Sequence, residues 1–158
     1  MAPDSRGVRL ATADDADEVA QLLHDFNGEF ATPSPGTAVL SARLRVLLAG
    51  DATVAIVAGT PAVGLALVTL RPNVWYAGPV ALLDELYVVP HLRGRGIGSA
   101  IIERLLALTR DRGVELVEIN VDEGDVDAQR FYERHGFSAT GAVASTERAF
   151  YYWRELTT

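Results

Sequence analysis

The sequence predicts one domain of the α/β (α+β) class over residues 1–158, with a mixed, mostly antiparallel sheet of about seven strands flanked by about four helices. Three observations carry this. Helical spacings and short apolar runs follow one another in the order β-α-α-β-β-β-α-β-α-β-β, and runs of adjacent strands argue against a purely parallel sheet. The 158 residues are enough for one hydrophobic core, and no repeat, low-complexity tract or linker divides them. Hydrophobic residues make up 49% and charged residues 22%, an ordinary globular balance.

Each element follows from local chemistry. GVRLAT is a short first strand. The acids Asp14, Asp15, Asp17 and Glu18 then stand where a helix start favours negative charge, and Val19, Leu22, Leu23 and Phe26 recur at helical spacing. That places a helix over about 14–27. ATPSPGT, with Pro33, Pro35 and Gly36, breaks the chain, and AVLSARLRVLLAG is a second helix that stops at Gly50. ATVAIVAG and AVGLALVTL form a hairpin around Gly59-Thr60-Pro61. NVWYAG is a loop, and VALLDELYVV is a fourth strand ending at Pro90. Ile97, Ile101, Leu105 and Leu108 line one face of a helix over 97–111, closed by Gly113. VELVEINV is a fifth strand, DVDAQRFYERH a short helix stopped by Gly136, and FSATGAV with RAFYYWREL a final strand pair.

Composition narrows the functional classes. A formal net charge of −7 argues against a general nucleic-acid binder, which needs a basic face. The chain has no cysteine, which removes disulfides, thiolate metal sites and a covalent cysteine intermediate. His24, His91 and His135 lie far apart without metal-ligand spacing, so no metal is expected. The first residues lack an apolar signal core and no apolar run is long enough to span a bilayer, so a cytoplasmic protein is expected, with no membrane partner.

Gly94, Gly96 and Gly98 alternate at the mouth of the third helix, between and beyond Arg93 and Arg95. The first N–H groups of a helix lack intrahelical partners and carry the positive end of its dipole, so they suit a phosphate. Glycine permits unusual dihedrals and close ligand approach. A P-loop is excluded by the missing Gly-Lys-Ser/Thr ending. A dinucleotide fingerprint is a second reading: Gly94 and Gly96 fit, Ser99 replaces the third glycine, and Glu118 stands near the acidic ribose position. Against it, four residues separate strand from glycine and no βαβ unit repeats.

A second motif follows in VDEGDVDAQRFYERHGF: Asp125, Ala128, Phe131-Tyr132 and Gly136-Phe137. Together with LYVVPHLRGRGIG it resembles the GNAT superfamily of acyl-CoA-dependent N-acetyltransferases. The specific motifs lie between Leu86 and Phe137, and the element order agrees over the whole chain. The resemblance implies a sheet splayed between strands 4 and 5, with acetyl-CoA in the gap. It implies that the backbone of Arg93, Gly94, Arg95, Gly96, Ile97, Gly98 and Ser99 holds the pyrophosphate. The backbone of Leu86, Tyr87, Val88 and Val89 would pair with the pantetheine arm like an added strand, and one N–H there would polarise the thioester carbonyl. The family's asparagine is Asp125 here. Aspartate caps a helix as well, but a carboxylate is less welcome beside an anionic cofactor.

The resemblance assigns Tyr132 as the acid that protonates the CoA sulfur, a role suited to a phenol that stays protonated at neutral pH. For the base, Asp84 and Glu85 are paired acids expected on opposite faces of a strand, with Asp84 on the face of Leu86 and Val88. Asp84 stands where some amine-acetylating relatives carry their base; Glu85 and a water relay are the alternatives. Trp75, Tyr76, Tyr151, Tyr152 and Trp153, with His24 and Phe26, are candidates for an acceptor pocket or for core. The expected reaction moves acetyl from acetyl-CoA to a primary amine of a cationic small molecule or peptide by direct attack in a ternary complex. By family habit the chain is expected to be a homodimer. A non-catalytic acyl-CoA sensor and a nicotinamide oxidoreductase are the competing classes.

Overall fold

The computed structural model describes residues 7–140 and 150–156. They form two compact units, one up to Ile119 and one from Asn120. In the first, β1 (Val8–Leu10), α1 (Ala16–Glu29), α2 (Thr37–Ala49), β2 (Thr53–Ala58), β3 (Gly64–Arg71), β4 (Val80–Val88), α3 (Ile97–Asp111) and β5 (Leu116–Ile119) follow one another. The strands lie in the order β1-β2-β3-β4-β5. All neighbours are antiparallel except β4 and β5, which are parallel.

The first helix begins later than its acidic cluster suggests. Ala13–Asp15 is a 3-10 turn with a capping box, in which the Thr12 hydroxyl accepts from the Asp14 N–H and the Asp15 carboxylate accepts from the Thr12 N–H at 2.7 Å. Arg9 clamps the same carboxylate through two bonds of 2.9 and 2.7 Å. Glu18 then ties α1 to the hairpin by accepting the Ala62 N–H at 2.6 Å.

Both faces of the sheet are buried. On one, Leu65, Ala55, Val57 and Tyr87 pack with Ala16, Val19, Ala20 and Leu22 of α1 and Leu44 of α2. On the other, Ile56, Ala66, Val68 and Leu83 are fully or nearly fully buried, as are Ile101, Ile102 and Leu105 of α3. Gly64 belongs to this side: a Cβ there would lie 2.9 Å from Ile101 Cδ1 and 3.1 Å from Ile97 Cγ2, so the missing side chain lets α3 sit close on the sheet.

The second unit contains α4 (Val126–Arg134), capped by the Asp125 carboxylate accepting from the Ala128 N–H at 3.0 Å. This is the capping role expected of an aspartate in the asparagine position. The expected seven strands reduce to five among the described residues. Much of the final strand pair falls on 141–149, outside the described residues, while 150–156 carry no strand. Among the described residues, no helix is long and apolar enough to cross a membrane and no cluster of His, Asp or Glu could hold a metal ion.

Two glycines should respond oppositely to substitution. A Cβ on Gly78 would lie 2.0 Å from the Gly113 carbonyl oxygen, whereas one on Gly28, inside α1, meets nothing within 4 Å. Urea denaturation should find Gly78→Ala destabilised by about 3 kcal/mol or more, and Gly28→Ala stabilised by about 0.5–1 kcal/mol.

Candidate active site

The site grows from one irregularity in β4. Leu67 pairs with Glu85, but the next residue of β3, Val68, pairs with Leu83, so Asp84 is an extra residue in β4. Such a bulge bends its strand and breaks the two-residue alternation. Paired residues share a face, so Glu85 stands with Leu67, and Tyr87 with Leu65, on the α1–α2 side. Asp84 is also on that side, where its Oδ2 accepts from the Thr69 hydroxyl at 2.5 Å. The expectation of opposite faces is therefore corrected: both carboxylates share one face, and Asp84 does not share the face of Leu86 and Val88. Strict alternation fails because the bulge inserts a residue between them.

The bulge also marks where β4 loses a neighbour. β5 pairs with β4 only over Val80–Leu83, and from Asp84 to Val88 that edge has no strand partner among the described residues. The Val89 N–H donates to the Val63 carbonyl on the β3 side at 3.0 Å. Backbone groups alternate along a strand, so the N–H groups of Leu86 and Val88 point to the open edge.

Burial and charge separate the two acids. Glu85 is half-buried and has no hydrogen-bond partner among the described residues; its carboxyl pKa is raised, first by burial and then by the charge of Asp84. Asp84 is exposed and held by Thr69. Burial and a neighbouring charge thus set Glu85 apart from Asp84.

Beyond β4 a 3-10 turn, Pro90–Leu92, buries Leu92 and delivers the chain to the glycines. Gly94 has φ +72° and Gly96 φ +83°, left-handed values that glycine adopts without Cβ strain. Built Cβ atoms at both positions meet nothing within 4 Å, so the dihedral, not crowding, requires glycine. Gly96 is the N-cap of α3 and makes no side-chain cap, leaving Ile97 and Gly98 to open the helix with backbone N–H groups that have no helix partner. Arg95 is exposed. The Arg93 guanidinium is directed elsewhere: it forks onto Glu29 at 2.6 and 2.7 Å and donates through Nε to the Val88 carbonyl at 2.8 Å.

The remaining candidates are dispersed. Phe26 stacks on Tyr87 with centroids 5.1 Å apart, on the face that carries Glu85. His24 instead bonds Ser34 through Nδ1 at 2.9 Å. Trp75 and Tyr76 lie in the loop before Val80, and Val80 is itself roughly 16 Å along β4 from Glu85. Asn73 holds that loop by accepting both their N–H groups at 2.8 Å. Two cavities of about 370 and 450 Å³ also flank that end of the sheet, one reaching Leu10 and Arg112 and the other Arg71 and Asn73. In the second unit Tyr132 is buried edge-on to Phe131 and Phe137 at 5.2 and 5.6 Å, and Tyr151 is exposed. Thr69 and Glu29 carry no signal in the sequence: neither stands in a motif, and each acts on a residue distant along the chain.

A family model described as the Acetyltransferase (GNAT) family matches residues 17–137, and the chain belongs to that family. A crystal structure of a protein of Arthrobacter sp. FB24, described as an acetyltransferase, is 55% identical, with a TM-score of 0.88 over 94% of this chain and 95% of that one. A mycothiol acetyltransferase of Beutenbergia cavernae is 38% identical over 78 residues, 48% of this chain and 26% of the relative. An aminoalkylphosphonate N-acetyltransferase of Salmonella typhimurium is 32% identical over 75 residues, 48% of this chain and 49% of the relative. The chain thus spans about a quarter to a half of the length of these curated relatives.

The raised Glu85 pKa makes a prediction about stability. Folding favours the protonated carboxyl, so its contribution is complete below the ordinary glutamate pKa of about 4.3 and is lost as pH rises through the raised value. Glu85→Gln mimics the protonated form. In thermal melts it should exceed wild type at pH 7–8, and the two should converge at pH 4.

Proposed function

We propose that this chain is an acetyl-CoA-dependent N-acetyltransferase that acetylates a primary amine of a cationic small molecule or peptide. The observation that carries the reading is the open edge of β4 beyond its bulge, with Glu85 at its start and the left-handed glycine turn at its end. Family membership supports the transfer chemistry.

The residues fit the cofactor. Bare N–H groups of Leu86 and Val88 suit the amides of an extended arm, and the backbone from Gly94 to Ser99 suits a pyrophosphate. Arg93 leaves that set: its backbone N–H donates to the Pro90 carbonyl at 3.3 Å and its side chain is engaged by Glu29. Acetyl-CoA supplies the acetyl group as a thioester. Glu85 takes the proton of the acceptor ammonium at its carboxylate, directly or through water, while the exposed Asp84 draws a cation toward that face. Tyr132 keeps the acid role that the family resemblance assigns, with its proton at Oη. A chain without cysteine transfers the acetyl group directly rather than through an acyl-cysteine. The proposal includes the homodimer; a monomeric mass in solution would remove that part.

Thermal titration tests the cofactor. Acetyl-CoA should raise Tm by mass action and NADH should not; the reverse result would return the glycine loop to dinucleotide binding. Gly96→Val places a β-branched residue at φ +83° and should weaken acetyl-CoA binding at least about tenfold.

Kinetics test the chemistry. With an amine substrate, kcat/KM should fall on the acid side with a midpoint above the ordinary glutamate range, because Glu85 must be deprotonated to act. Glu85→Gln should lower kcat about 10²–10⁴-fold, and Asp84→Asn should move the acid limb to lower pH by removing a like charge. Tyr132→Phe should lower kcat far more than it weakens acetyl-CoA binding. Equal turnover would end that assignment.

A further inference from the structure

We propose that Arg93 is a positioning residue: forked onto Glu29 and bonded to the Val88 carbonyl, it braces the end of α1 against the open edge of β4 and fixes how far an added strand can pair along it. The inference rests on reading that edge as the acetyl-CoA arm's site.

An arginine at the head of a glycine loop invites the role of phosphate cation, but three of its five N–H donors are directed inward. Its two terminal nitrogens meet the two Glu29 oxygens at 2.6 and 2.7 Å, the bidentate fork that guanidinium geometry favours. Nε bonds the Val88 carbonyl at 2.8 Å, and Cζ lies 5.6 Å from the centre of the Tyr87 ring. Glu29 is the last residue of α1, where a cation also suits the negative end of the helix dipole.

The bond to Val88 has a specific consequence. Along a strand the N–H and C=O of one residue point to the same side, so the Val88 carbonyl lies on the open edge with its N–H. Arg93 occupies that carbonyl. An incoming extended arm therefore finds the Leu86 N–H and C=O and the Val88 N–H, so the last carbonyl open to it is that of Leu86 and not that of Val88 at the end of β4. The same guanidinium anchors the residue before Gly94, which sets where the glycine turn begins relative to the edge.

The two roles predict opposite signs for Glu29→Gln. A phosphate-binding Arg93 freed from its counter-charge should hold acetyl-CoA more tightly. A bracing Arg93 loses its fork, and acetyl-CoA should bind about three- to tenfold more weakly. Arg93→Lys separates charge from geometry: the brace predicts a loss as large as that of Arg93→Met, because an ammonium cannot fork. The measurement is calorimetric titration of each variant with acetyl-CoA, with amide exchange on the free proteins. Glu29→Gln should speed exchange in the last turn of α1 and at Val89 relative to wild type. Unchanged or tighter acetyl-CoA binding by Glu29→Gln overturns the proposal, as does unchanged exchange at both places. Wild-type protein that fails to bind acetyl-CoA would defeat the functional reading, and the exchange comparison would then decide the brace by itself.

Discussion

The constraint on which the rest of this molecule depends is the single extra residue at Asp84. Without it, β4 would continue its alternation and put Asp84 and Glu85 on opposite faces. With it, both carboxylates stand on the α1–α2 side, and the pairing of β4 with β5 ends at Leu83 and Ile119, immediately before the bulge. Extra local twist is the usual effect of a bulge, and it turns the later half of a strand away from the line its neighbour follows. One insertion thereby supplies an acid and a bare backbone edge together.

Energetically the arrangement carries a cost. Half-buried Glu85 with Asp84 beside it costs the fold something at neutral pH, as groups poised for proton transfer often do. The cost is tolerable because the surrounding sheet is buried on both faces and Asp84 is itself held by Thr69. Leu92, buried between the strand and the glycine turn, anchors the chain where it leaves β4.

Much of the site was legible along the chain because it is made of backbone. Gly94 and Gly96 announce left-handed dihedrals, and Asp125 announces a helix cap three residues before Ala128. The family motif spans these same positions, so it is readable along the chain alone. Aromatic residues were less informative. Trp75 and Tyr76 looked like pocket walls but belong to a loop held by Asn73 at the far end of β4, while Phe26 does reach the Glu85 face by stacking on Tyr87. Ring chemistry is the same in either place, so composition could not distinguish them.

By itself the sequence determined the order of the first five strands and the helices, the glycine turn, the cap of α4 and the absence of cysteine chemistry. These follow from periodicity, dihedral preference and residue inventory, all of which act over a few neighbouring positions. Tertiary structure alone decided which face carries Asp84 and Glu85, that Thr69 meets Asp84 fifteen residues away, and that Glu29 claims Arg93 across sixty-four. A strand's register depends on its neighbour, and an ion pair depends on where two distant elements meet. Neither is set by the local chain, because the free energy that selects them comes from burying one element against another.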